Sequence, residues 1–251
     1  MFLALELDDG NALPSALAAL APACALQGSR PAAVGVGTLD GNDILIAKRP
    51  GSLGPVSLVA DARGARSEKL LLCTEEGNAP FAEERTPPIR YRGWLFAGGD
   101  AVPAPPRSSR ERALERLPEF LRRQVTGRGS LDLAFLAFLG ELQSAGLLGN
   151  PAPDAHEVLA PFAAAARAVR AAEGDAMPPL IAVSRRCLLA ARGAKPLWQR
   201  KLEGIPEAPH LRALAITDAP VDPAAWVEIP KGMALTLDRE LTPHFEAWAL
   251  E

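Results

Sequence analysis

Hydrophobic and polar positions alternate along this chain in three successive regimes. Short apolar runs come first, longer stretches with helical spacing follow, and short apolar runs return. Residues 1–7 form an apolar strand, closed by the turn residues Asp8-Asp9-Gly10-Asn11. Residues 14–27 are rich in Ala and Leu and predict a short helix broken at Pro22. Residues 33–39 and 43–48 predict a hairpin, because Asp40-Gly41-Asn42 between two apolar runs is a strong turn signal. Residues 56–62 predict a helical turn or two, and residues 69–74 (KLLLCT) a buried strand. Residues 75–89 read as a polar loop ending in Pro87-Pro88.

Residues 90–97 read as one strand, stopping at Gly98-Gly99-Asp100. The two-residue period puts Trp94 and Phe96 on one face and Tyr91, Gly93, Leu95 and Ala97 on the other. Both faces carry apolar bulk, so burial on both sides is expected. Three helices follow. The first starts near Ser108 or Ser109 and restarts at Pro118. The second spans 131–145, with Ser130 as cap and Gly146 as stop. The third runs from Asp154 to Glu173, with Asp154 and Glu157 in an Asp-x-x-Glu capping arrangement. Strands are then expected at 180–184, 187–192, 197–202, 211–217, 226–229 and 233–237. The order strands, helices, strands predicts an α+β fold with largely antiparallel sheets packed on helices. No repeat or linker divides the chain, so residues 1–251 are expected to form a single domain.

Composition adds limits more than leads. The chain has 251 residues, 48% apolar and 23% charged, with a formal net charge of -3. That balance points to neither nucleic acid nor an anionic membrane as a partner. Cys24, Cys73 and Cys187 are odd in number and far apart, which fits a reducing compartment rather than a disulfide framework. His156, His210 and His244 stand alone, so no metal site is expected. The first ten residues lack the basic start of a signal peptide, and no apolar run approaches a membrane span. A cytoplasmic protein is the expectation.

No self-sufficient catalytic motif emerges from the residues. Gly35-Val36-Gly37 is followed by a hairpin, not by the helix a dinucleotide loop needs. Cys73 sits inside an apolar strand, where a thiol packs as a small hydrophobe. The Arg- and Glu-rich segment 107–123 reads as a solvated helix face with i,i+4 pairs. Glu75, Glu76, Glu83 and Glu84 read as solvated loop carboxylates.

Residues 83–100, EERTPPIRYRGWLFAGGD, nevertheless resemble the central motif of class II glutamine amidotransferase domains. There a Glu-Asn-Thr-His-Pro-Phe segment precedes a strand ending Trp-Leu-Phe-x-His-Asn-Gly. Further similarities keep the family order: the 33–48 hairpin, Pro196-Leu197-Trp198, residues 215–219, and Trp226-Val227-Glu228-Ile229-Pro230-Lys231-Gly232. The resemblance implies an N-terminal-nucleophile hydrolase fold, a four-layer αββα sandwich with two mainly antiparallel sheets. It also implies glutamine or γ-glutamyl amide hydrolysis by an N-terminal cysteine whose own α-amino group is the base.

Carried over by position, that chemistry meets departures. The nucleophile position is Phe2, whose bulk is also expected to block removal of Met1. The arginine that grips the substrate carboxylate corresponds to Thr74. The oxyanion-hole Asn-Gly corresponds to Gly99-Asp100. The family's Asp-Ser-Glu at a helix start corresponds to Ser130-Leu131-Asp132, where Asp132 could receive a substrate amine. The resemblance therefore implies a catalytically inactive relative: a binding or regulatory module, or the silent partner of an active amidotransferase paralogue or synthetase subunit. No cofactor is implied. Two other expectations are an amidohydrolase with an altered nucleophile, for which Cys73 is the candidate, and a small-molecule binder reusing the emptied cleft.

Overall fold

The computed structural model describes residues 1–40, 43–62, 64–77, 81–84, 86–98, 111, 114–115, 117–123, 130–150, 153–173, 178–238 and 240–247; the side chains at 130, 168–169 and 171–173 lie outside that description. The first half supplies β1 (Phe2–Leu7), α1 (Leu13–Leu20), β2 (Ala33–Asp40), β3 (Asp43–Pro50), α2 (Leu58–Asp61), β4 (Lys69–Glu75), β5 (Ile89–Tyr91) and β6 (Trp94–Gly98). The helices α3 (Glu119–Arg122), α4 (Ser130–Ser144) and α5 (Ala155–Glu173) follow. The chain closes with β7 (Leu180–Val183), β8 (Leu188–Ala191), β9 (Trp198–Ile205), β10 (Ala208–Thr217), β11 (Val227–Glu228), β12 (Met233–Leu237) and β13 (Pro243–Ala247).

These strands build two sheets. One has seven strands in the order β11-β9-β10-β1-β4-β2-β3, the other six in the order β13-β12-β8-β7-β6-β5, and neighbours within each run antiparallel. Strand alternation sorts the apolar side chains into three layers. Leu3, Leu5 and Leu7 of β1 face out of the sandwich, with Leu70 and Leu72 of β4, onto Leu13, Leu17 and Leu20 of α1. Phe2 and Ala4 face in, with Leu71 and Cys73, toward Leu95, Ala97, Ile181 and Leu235 of the other sheet. Trp94 and Phe96 face the outer layer of α4 and α5. The architecture is α+β, helices outside and two sheets inside.

Local chemistry sets the helix ends. The Asp154 amide donates to Glu157 Oε2 at 2.9 Å, closing the first turn of α5. Beyond α4, Gly146 takes a φ of 72°, a conformation glycine adopts without a Cβ penalty. Aromatic contacts tie the six-stranded sheet to these helices. Trp94 meets Phe138 edge-on at 4.9 Å, Phe96 stacks on Phe135 at 5.0 Å, and Phe138 meets Phe162 edge-on at 5.5 Å.

Two expectations are corrected. Residues 90–97 are not one strand. The chain reverses at Arg92-Gly93, with Arg92 at a φ of 48°, and β5 pairs back on β6 with Tyr91 opposite Trp94. Direct cross-strand partners share a face, so Tyr91 joins Trp94 and Phe96 on the helix side instead of opposing them. An arginine in the left-handed region is an uncommon turn residue, and an unbroken apolar pattern concealed the reversal. The edge strand β13 was also not expected. It begins at a proline and is largely exposed, so it lacks an apolar face to reveal it. The helix expected from Ser108 or Ser109 begins outside the described residues.

Candidate functional site

The N-terminal end of β1 is the place to look for chemistry, because the family resemblance puts the nucleophile there. β1 is central in its sheet, flanked by β10 and β4. Phe2 lies opposite Cys73 of β4, and its side chain is 0% exposed. The residues that surround the first two peptide groups hold them with hydrogen bonds. The Phe2 amide donates to Asp218 Oδ1 at 2.8 Å, and the Thr217 hydroxyl donates to the Phe2 carbonyl at 2.7 Å. On the other side, the Thr74 amide donates to the Met1 carbonyl at 2.8 Å and the Thr74 hydroxyl donates to it at 3.2 Å. The Met1 ammonium donates to the Thr74 carbonyl at 3.4 Å.

Thr74, where the resemblance places a substrate-gripping arginine, is thus engaged by the chain's own first residue. Its side chain is buried. A threonine hydroxyl can neither carry charge nor make a bidentate contact to a carboxylate. Cys73, next to it, is 1% exposed and packs in the layer between the sheets. Burial pushes its thiol far above the ordinary range, outweighing the pull of the N-terminal ammonium. A thiol so placed is a poor source of the thiolate that nucleophilic attack needs. Cys187 is fully buried and pushed up to about 11 by the same cause. Cys24 is raised as well, again by burial first.

The last described residue of β6, Gly98, sits where the strand reaches α4. A Cβ there would lie 2.9 Å from Leu131 Cδ1, so a larger side chain would have to displace the helix residue. Gly99 and Asp100 lie outside the described residues. Ser130 opens α4, its side chain likewise outside the description, and Asp132 stands half-buried in the first turn. The structure brings Phe2, Cys73 and Thr74 together at one end of β1 and β4.

The glycines of the 33–48 hairpin have a packing cause. A Cβ on Gly35 would lie 2.0 Å from the Pro87 carbonyl oxygen, and one on Gly37 would lie 2.6 Å from Leu95 Cδ1. Gly35-Val36-Gly37 lets β6 and the segment before β5 press onto β2, and it pairs in register with residues 71–73 of β4. Thr217 and Asp218, which hold Phe2, were not singled out from the sequence. Their signal is faint: a Thr-Asp pair closing an apolar strand also reads as an ordinary turn.

No helix among the described residues is long and apolar enough to cross a membrane. No group of three or more His, Cys, Asp or Glu among them could hold a metal ion.

No family model and no curated protein matches the sequence. Solved structures do. A glutamine aminotransferase class-II domain protein from Silicibacter pomeroyi matches at a TM-score of 0.63 and 16% identity, over 99% of each chain. A predicted glutamine amidotransferase from Pseudomonas aeruginosa matches at 0.60 and 15%, over 94% of this chain and 96% of the other. The glutamine phosphoribosylpyrophosphate amidotransferase of Bacillus subtilis matches at 0.56 and 9%, over 100% of this chain and 49% of that longer one. At such identities the likeness is one of fold. The two antiparallel sheets, their helical outer layers and these neighbours together establish that this chain has the class II glutamine amidotransferase-like fold.

Proposed function

We propose that this protein is a catalytically inactive relative of the class II glutamine amidotransferases, a single domain retained as a binding or regulatory module or as a partner subunit. The observation that carries this reading is the state of Phe2. Its ring is fully buried between the sheets, and both its amide and its carbonyl are hydrogen-bonded to side chains of the Thr217-Asp218 segment. A phenyl ring has no nucleophilic atom, and removing the nucleophile alone costs on the order of 10⁶ in rate in enzymes where this has been done.

Thr74 supports the same reading, since it holds Met1 at the position proposed for the substrate clamp. The burial of Cys73 and its raised thiol weigh against an altered-nucleophile enzyme. Gly98 also fits, because a side chain there would have to displace Leu131 of α4. Fold alone does not carry function; these residues do.

The test is covalent labelling. Incubation with an electrophilic chloroketone analogue of glutamine, followed by intact mass measurement, is expected to leave the protein unmodified. An adduct mapped to the N-terminal residue or to Cys73 would sink the proposal.

A further inference from the structure

β13 is an outermost strand of the six-stranded sheet, and residues 244–247 along it are exposed. Its course is set by Asp238 at the turn from β12. The Asp238 amide donates to the Thr242 carbonyl at 3.2 Å. Asp238 Oδ1 accepts from the Glu240 and Thr242 amides at 3.0 and 2.8 Å, and Oδ2 lies 2.9 Å from His244 Nε2. The strand is thus held extended by its own hairpin, with one long edge uncovered.

Register fixes which backbone groups face that edge. Asp238 and Thr242 bond to each other across the hairpin, so His244 and Glu246, at the same parity, also turn their N–H and C=O toward β12. The Arg192 amide, donating to the Met233 carbonyl, fixes the same parity from the far side of β12: Met233 and Leu235 bond toward β8, Ala234 and Thr236 toward β13. Pro243, Phe245 and Ala247 therefore direct their backbone groups outward. Side chains alternate too. Phe245, opposite Leu235, lies on the inter-sheet face and is 39% exposed, whereas His244 and Glu246, opposite Thr236 and Ala234, lie on the helix face. Of the outermost strands among the described residues, β11 and β5 have only two and three residues, and on β3 the Ile44 carbonyl already accepts from Arg90 at 3.0 Å. An uncovered edge is a template for pairing with another chain.

The sequence of β13, Pro-His-Phe-Glu-Ala, is its own complement in the antiparallel sense. Two copies joined edge to edge must keep like faces together and bring outward backbone groups to meet, so the pairing centres on a residue. Centring on His244 sets that residue against itself, and centring on Glu246 opposes two carboxylates, which is destabilising. Centring on Pro243 or Ala247 shortens the overlap. Centring on Phe245 sets each His244 opposite Glu246 of the second copy and places the two Phe245 rings side by side. The Phe245 N–H and C=O then bond reciprocally, and each Ala247 N–H meets the Pro243 carbonyl of the other copy. The missing N–H of Pro243 costs only the bond to the Ala247 carbonyl. From the open edge, its parity and this one favourable register, we infer that two copies of this chain associate through β13, joining their six-stranded sheets across a twofold axis. The inference does not rest on the inactivity proposed from Phe2.

A short edge makes a weak interface, of the class below ~1,200 Å², so the full chain is examined at about 0.5 mM, where a Kd of about 100 µM gives mostly dimer. Sedimentation equilibrium is expected to give a mass approaching twice the 26.5 kDa of one chain. Phe245→Pro removes an N–H that points away from β12 and is expected to raise the dissociation constant at least tenfold. Glu246→Lys, which sets a cation opposite His244, is expected to raise it at least threefold, and decides the matter if Phe245→Pro does not fold. Cysteine variants read the register. Phe245→Cys meets its own copy at a Cα separation of about 5.5 Å, within disulfide reach, whereas Glu246→Cys is offset from its copy by a residue pair. Under mild copper-catalysed air oxidation Phe245→Cys is expected to cross-link into a covalent dimer at least tenfold faster than Glu246→Cys; the native thiols of Cys24, Cys73 and Cys187 are buried. A monomeric mass at that concentration, association unchanged in the folded variants, or Glu246→Cys cross-linking as fast as Phe245→Cys would overturn the inference.

Discussion

Replacing Phe2 by alanine separates a core residue from a slack plug in an open cleft. The ring is 0% exposed, so the substitution removes a fully buried side chain. Burying a Phe side chain is worth about 1.5–3 kcal/mol. A second cost comes from the cavity left behind, and it depends on how far the surroundings can collapse. Here they can collapse little. β1 is paired on both sides, with Leu3 opposite Thr217 and Phe2 opposite Cys73. Thr217, Asp218 and Thr74 fix the backbone of residues 1 and 2 in place. The full range for Phe→Ala in a core, about 3–5 kcal/mol, is therefore expected. For a chain of this length each kcal/mol moves Tm by about 2–4 °C, so the loss should be about 6–20 °C. Urea denaturation followed by circular dichroism measures the free-energy change, and Val227→Ala on the exposed edge strand β11 is the control, expected within about 0.5 kcal/mol. A loss below about 1 kcal/mol for Phe2→Ala would refute the reasoning, because the ring would then not be filling the space between the sheets.

The remaining predictions concern packing, thiols and the buried pair. Gly35→Ala should destabilise by about 1–3 kcal/mol through overpacking against the Pro87 carbonyl, whereas Gly149→Ala, with no heavy atom within 4 Å of its added Cβ, should be close to neutral; thermal melts of the two decide it. With its thiol pushed by burial from an ordinary 9.0 up to about 11, Cys187 should carry roughly a hundredfold less thiolate than a free thiol at pH 8. A disulfide-exchange reagent should accordingly modify Cys187 and Cys73 only on unfolding. Lys69→Met should cost about 3–5 kcal/mol by stranding Glu6, while Glu6→Leu with Lys69→Met should be neutral to about 1–4 kcal/mol more stable, as denaturation of the double variant would reveal. Because burial raises the Glu6 carboxyl, its contribution to stability is fully present below the unfolded value of 4.5 and is lost as pH rises through the higher folded value. Stability measured across that window should fall in the wild type and flatten in Glu6→Gln.

The architecture was legible because β1, β4 and the 33–48 hairpin are dense apolar runs with clear turn residues, and because α4 and α5 carry good stops and caps. The turn at Arg92-Gly93 was not, since a two-residue reversal that uses an arginine leaves the apolar alternation on both sides intact. β13 was missed for the opposite reason: an exposed edge strand has no pattern to betray it. The positions around Phe2 and Thr74 could be found only through the family resemblance, as neither residue carries chemistry of its own. Glu6 and Lys69 were visible as single charges in the strands FLALEL and KLLLCTE. What could not be read is that antiparallel register places them opposite each other, on the inward face, as a buried ion pair.

The central claim, that this fold is retained without its amide-hydrolysing chemistry, is tested most directly by ammonia release. Purified protein, its N-terminal residue established by mass, is incubated with glutamine and with γ-glutamyl amides, and ammonia is followed by a coupled assay. Release at the uncatalysed rate, unchanged in Thr74→Ala and Phe2→Leu, is the predicted result. Turnover above background that is abolished by substitution at Phe2, Cys73 or Thr74 would contradict it.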